Sequence, residues 1–138
     1  TQNQDPVTEP YNVASAERDT TVGLRMAKAL HPKAVIPVPL AIKKIQADNG
    51  DNPGTDLVFR YHNDGHSNQT CAFLVANLFY AAITGKSPEG LGFNTVVETK
   101  LKDGRDPDGG NPTVVFNNEE KLYLQRIAWE AVKEFLKD

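Results

Sequence analysis

The strongest constraint on this chain is a run of apolar and small residues over positions 70–84, closed by Gly85 and then Pro88. Such a run predicts a helix, with Ser67 or Asn68 as its N-cap and Gly85 as its C-cap. Leu74, Leu78 and Phe79 line one side, and Phe73, Tyr80 and Ile83 extend the apolar surface around the cylinder. A helix that is apolar nearly all round belongs at the centre of a core. The longest apolar stretch, about 72–83 and interrupted by Asn77, is too short to span a bilayer, so no membrane partner is expected.

The remaining elements arrange themselves around that helix. Residues 1–11 are polar, carry Pro6 and Pro10, and read as an extended arm. A first helix follows as far as Leu30. Val22, Met26 and Leu30 recur at i+4 as its apolar stripe, and Gly23 lowers its intrinsic stability by about 1 kcal/mol. His31-Pro32-Lys33 stops it. The β-branched run 34–38 reads as a short strand limited by Pro37, and Pro39 suits the start of a second, short helix ending near Ala47. Residues 48–56 are turn-forming, and 57–60 can be extended.

Toward the C-terminus, 96–101 and 113–116 are β-prone and are separated by a polar loop, which reads either as a hairpin with a long loop or as irregular structure. Asn117 followed by Glu120 has the spacing of a capping box. It opens a final helix over about 119–136, with Leu124, Ile127, Ala128, Ala131 and Phe135 on its inward face. The fold class is α/β, helix-rich with few strands. Residues 12–138 form a single α/β domain or the C-terminal part of a larger one.

Composition narrows the function. The 138 residues are 39% hydrophobic and 24% charged with a net charge of -3, as in an ordinary globular chain. No Lys/Arg cluster supplies a phosphate-binding stripe, so nucleic acid is not an expected partner. Lys86 and Arg105 stand alone. The one cysteine, Cys71, excludes an intrachain disulfide and a cysteine-based metal site. It suits either redox compartment, and a secreted or periplasmic location is preferred over others. Cys71 opens an apolar helix and reads as a small buried hydrophobe.

Chemistry concentrates in the polar stretch Tyr61-His62-Asn63-Asp64-Gly65-His66-Ser67-Asn68, just ahead of the apolar helix. His66 is the candidate general base, because an imidazole exchanges a proton near neutral pH. A surface or capping histidine is the plain alternative. His62, Asp64 and His66 have residue types suited to zinc, but an irregular loop fixes little of their geometry and no metal or other cofactor is expected. Residues 106–111 faintly resemble the start of a calcium loop but lack its alternating ligands and closing Glu, so a solvated turn is expected. Trp129 and Tyr123 read as packing residues.

The stretch His62-Asn-Asp-Gly-His-Ser-Asn-Gln-Thr-Cys-Ala-Phe-Leu and its continuation to Leu91 resembles the histidine-bearing block of the Ser-Gly-Asn-His, or GDSL-like, hydrolases. Residues 34–42 and 124–132 resemble flanking parts of the same family. The resemblance implies a flavodoxin-like three-layer α/β/α sandwich and hydrolysis of a small ester or acyl-carbohydrate through a serine nucleophile, with His66 as its base. The family's acid lies three residues before the histidine. Asn63 holds that position here, and Asp64 lies two before. Asp64 is preferred on chemistry, since an amide does not neutralise an imidazolium, while the motif spacing favours Asn63.

No nucleophile block is recognisable. Ser15, Ser67 and Ser87 are the only serines, and none has a nucleophile's setting. The expectation is therefore a serine-hydrolase (esterase-like) fragment completed by a missing N-terminal half or by another copy of the chain. The competing expectation is a noncatalytic structural or interaction domain.

Overall fold

The computed structural model describes residues 13–48, 57–63, 65–98 and 103–137. The elements run α1 (Val13–Leu30), α2 (Val38–Ala47), α3 (Gln69–Thr84), β1 (Thr95–Val97), β2 (Thr113–Val115) and α4 (Asn118–Phe135). The fold is α/β, helix-rich with few strands. The expected arm falls outside the described residues, as do most of the 48–56 turn, Asp64, and 99–101 of the predicted first β segment.

Helix α4 forms the centre. One side packs on α3 and another on α2, while α1 lies against α2. Its start is fixed locally: the Asn117 side chain accepts the Glu120 N–H, and the Glu120 carboxylate accepts the Asn117 N–H. This satisfies two of the donors that a helix N-terminus leaves without partners. All five residues predicted for its inward face are buried, and Tyr123, Gln125 and Val132 join them. The core they share with α3 centres on Phe73, Leu74 and Leu78.

Strands β1 and β2 pair antiparallel, Thr95 with Val115, Val96 with Val114 and Val97 with Thr113. Val96 and Val114 face the core, while Val97 and Val115, one residue on, face outward, as the two-residue period of a strand requires. Phe116, just past β2, is buried with its ring 4.5 Å from that of Phe73.

Buried polar side chains clamp these pieces together. Gln125, fully buried on α4, accepts the Gly90 N–H at 3.1 Å and donates to the Leu91 carbonyl at 3.2 Å. Gln69, at the start of α3, donates to the Pro112 carbonyl next to β2. Nearer the surface, half-exposed Glu134 of α4 and Lys44 of α2 form an ion pair at 2.6 Å.

Several expectations are corrected. Residues 34–37 form no strand, and α2 begins at Val38 with Pro39 in its first turn. Two prolines within three residues remove the donors a ladder would need. Helix α3 is not buried all round: Phe79 and Ile83 are 47% and 68% exposed. The stripe predicted for α1 also lies outward, with Val22, Met26 and Leu30 at 46%, 54% and 68% exposure. Between Val22 and Leu30 the partly covered residues are instead Gly23, Leu24 and Ala27, about 100° round the helix.

The resemblance to the Ser-Gly-Asn-His hydrolases is also overturned. That family is built on a larger central sheet. The described residues hold one two-stranded antiparallel sheet with strands of three residues each, packed against α3. The hydrolase and esterase reading that came with the family loses its structural basis.

Candidate functional site

The polar stretch ahead of α3 folds into a tight reversal. Arg60 and Ser67 form an isolated antiparallel bridge. Between them the Tyr61 N–H donates to the His66 carbonyl at 2.8 Å, and the Gly65 N–H donates back to the Tyr61 carbonyl at 2.9 Å. Gly65 takes φ 71°, a left-handed conformation that a residue without Cβ adopts at no steric cost.

The reversal is tied to α3 by Asn68. Its side-chain oxygen accepts the Cys71 N–H as N-cap, and its NH₂ donates to the Val58 carbonyl at 2.7 Å. A single amide thus caps the helix and holds the incoming strand-like segment. Of the two caps expected from sequence, Asn68 takes the role.

A second loop braces the reversal from outside. The Asp108 carboxylate accepts the His62 N–H and the Asn63 N–H, each at 2.8 Å. The Asn63 NH₂ donates to the Pro107 carbonyl. This loop is itself held by Asp106, whose carboxylate accepts the Asp108 and Gly110 N–H groups at 2.9 and 2.7 Å. A Cβ on Gly110 would lie 3.0 Å from that carboxylate, so the close approach calls for glycine. The expected solvated turn at 106–111 is thus a carboxylate-nucleated turn whose acid is spent on its own backbone.

His66 lies on this braced reversal and is exposed, as are Asn63 and His62. Asn63 shares the turn with His66, and its NH₂ is engaged by Pro107. Asp64 lies outside the described residues. Among the described residues, no three His, Cys, Asp or Glu side chains gather as a metal would require.

The neighbouring groups are poor nucleophiles. Cys71 is buried, and burial pushes its thiol up. A hydrogen bond from Ser67 and the nearby Arg60 charge act in the opposite direction. The net raised value keeps the sulfur protonated, the unreactive form. Ser67 is exposed and engages Cys71. Ser87 donates to Glu89 and accepts the Glu89 N–H, closing a local turn after α3. The Tyr61 hydroxyl donates to Glu98 at 3.2 Å, and burial, then the Glu98 charge, raise its phenol above the ordinary value. It is a structural donor rather than an acid at neutral pH.

The sequence located a polar loop and offered Asn68 as one of two caps, but the brace was missed. The signal was present as Asp106-Pro107-Asp108-Gly109-Gly110, since Asp before Pro and Gly favours side-chain-to-backbone turns. What the sequence did not indicate was that the loop returns to contact residues about 45 positions earlier.

No family model, curated protein or solved structure matches this chain. Among the described residues, no helix is long and apolar enough to cross a membrane.

Proposed function

We propose that this chain is a noncatalytic interaction module that pairs with a second copy of itself through α3. The carrying observation is the open face of that helix. Ala72, Ala76, Phe79 and Ile83 fall at i, i+4, i+7 and i+11 and are all exposed. Residues 69–84 contain no charged side chain, so nothing on the helix opposes burial by charge repulsion.

The face is small at its N-terminal half and large at its C-terminal half. A two-fold antiparallel pairing lays Phe79 and Ile83 of one copy over Ala72 and Ala76 of the other. This is the self-complementary geometry of an isologous interface. A helix of this length spans only about 24 Å. The buried area therefore falls below the roughly 1,200 Å² at which stable complexes begin, and the pairing is of the weak, reversible kind.

Sedimentation velocity across a concentration series tests this. The chain should pass from monomer to dimer in the tens-of-micromolar range or above (roughly -6 to -7 kcal/mol). Ile83→Glu should hold it monomeric with an unchanged circular dichroism spectrum. A wild-type chain that stays monomeric at about 1 mM, beyond that range, defeats the reading.

A second reading is supported by the His66 turn. An exposed imidazole on a backbone braced by Asp108 and Asn68 suits a proton acceptor for a hydroxyl carried by another polypeptide segment. In that reading the flavodoxin-like layering would require strands contributed from outside the described residues. In any assembly of this chain that shows acyl-transfer turnover, His66→Ala should lower kcat by about 10²–10⁴ with the fold intact. Retained turnover would remove His66 from the chemistry.

A further inference from the structure

A cleft of about 490 Å³ opens between the end of α1, the segment that follows it, and the last turn of α4. Leu24, Ala27, Val35 and Phe135 give it apolar walls. Lys28, His31 and Lys33 also line it, and no acidic side chain does. It shares no residue with the His66 reversal or with the open face of α3.

The way α1 ends sets the position of His31 on the cleft wall. His31 takes φ 47°, and its N–H donates to the Ala27 carbonyl at 3.0 Å. A residue with a Cβ is uncommon in that left-handed conformation, which is sterically strained relative to glycine. Glycine would close the helix with less strain. The histidine brings an imidazole to the cleft wall, with Lys28 one turn before it and Lys33 two residues after.

The sign of the local field decides what this cleft takes. Helices α1 and α4 both present C-terminal carbonyls near it, and each amounts to about half a negative charge. Together they cancel roughly one of the two lysine charges, and the second remains. The volume falls in the range of sites for small molecules. We propose that the cleft binds an apolar acyl chain ending in a carboxylate, with the chain against Leu24, Ala27, Val35 and Phe135 and the carboxylate at Lys28, His31 and Lys33.

The test is titration of the whole chain with sodium decanoate below its micelle concentration, followed by amide chemical shifts and calorimetry. Decanol and decyltrimethylammonium serve as neutral and cationic comparisons. Decanoate should bind with shifts centred on 24–35 and 135–136. It should bind about five- to tenfold more weakly to Lys28→Gln/Lys33→Gln, as expected for two solvent-screened ion pairs. Raising salt should weaken wild-type binding in the same direction. Ala27→Phe, which adds a ring to the apolar wall, should abolish binding. The lysine double variant changes only exposed positions, so the proposal stays testable if the Ala27→Phe variant fails to fold. Decanol binding as tightly as decanoate, shifts centred instead on α3, or no decanoate binding at millimolar concentration would each overturn the assignment.

Discussion

Helices α4 and α1 are each 18 residues long and each amphipathic, yet α4 is the centre of the molecule and α1 lies on its margin. In α4 the periodic apolar face is the buried face. In α1 the periodic face of Val22, Met26 and Leu30 points outward, and the partly covered face is Gly23, Leu24 and Ala27. Periodicity shows that a helix has a distinct face. Side-chain size decides which face comes close to a neighbour. Where α1 passes the end of α4, the Phe135 ring comes within 3.9 Å of where a Cβ on Gly23 would stand. Small residues at 23 and 27 permit that approach, and the larger stripe is left outside.

The sharpest way to break this comparison is to truncate one apolar residue on each helix. Leu124 is fully buried between α4 and its neighbours. Leu124→Ala should lower the unfolding free energy by about 2–5 kcal/mol, through lost transfer energy and the cavity left behind. Met26→Ala removes a comparable number of atoms from the exposed stripe. It should change stability by no more than about 0.5 kcal/mol. Urea unfolding of both variants, read at constant m-value, checks the pair. Equal losses would mean that α1's outer stripe is covered in solution, and the two helices would no longer differ in the way described.

The same contrast separates what the sequence made legible from what it did not. The local devices could be read directly: the Asn117–Glu120 box, Gly85 at φ 66° closing α3, the Asn68 cap and the stop after Leu30. Each depends on residues within a few positions of one another, and side-chain chemistry over that range has few solutions. The inward face of α4 was legible because its apolar residues recur at i+3 and i+4 along one element. The open side of α3 was not. Phe79 and Ile83 look like core residues by hydropathy, and only the count of neighbouring elements shows that nothing among the described residues covers them. The brace of the His66 turn was hidden likewise, because Asp108 acts on residues about 45 positions away through backbone N–H groups that carry no sequence signature. The family resemblance failed at the same level. A short polar loop before an apolar helix is a local pattern, whereas the sheet that defines that family depends on long-range pairing.

A smaller effect tests whether Gly23 is required by packing or merely tolerated by it. The nearest atoms to a Cβ at 23 are Phe135 ring carbons at 3.9 and 4.0 Å, ordinary van der Waals distances. Glycine inside a helix costs about 0.5–1 kcal/mol relative to alanine, through backbone entropy in the unfolded chain. Gly23→Ala should therefore raise stability by about that amount and leave the α1–α4 contact intact. Its midpoint in urea should shift upward at constant slope. Gly23→Leu, by contrast, must push against the Phe135 ring and should lower stability. If alanine already destabilises, α1 sits closer to α4 than this spacing allows. The outward turn of Val22, Met26 and Leu30 would then follow from a forced approach at position 23 rather than from the permissive size of its side chain.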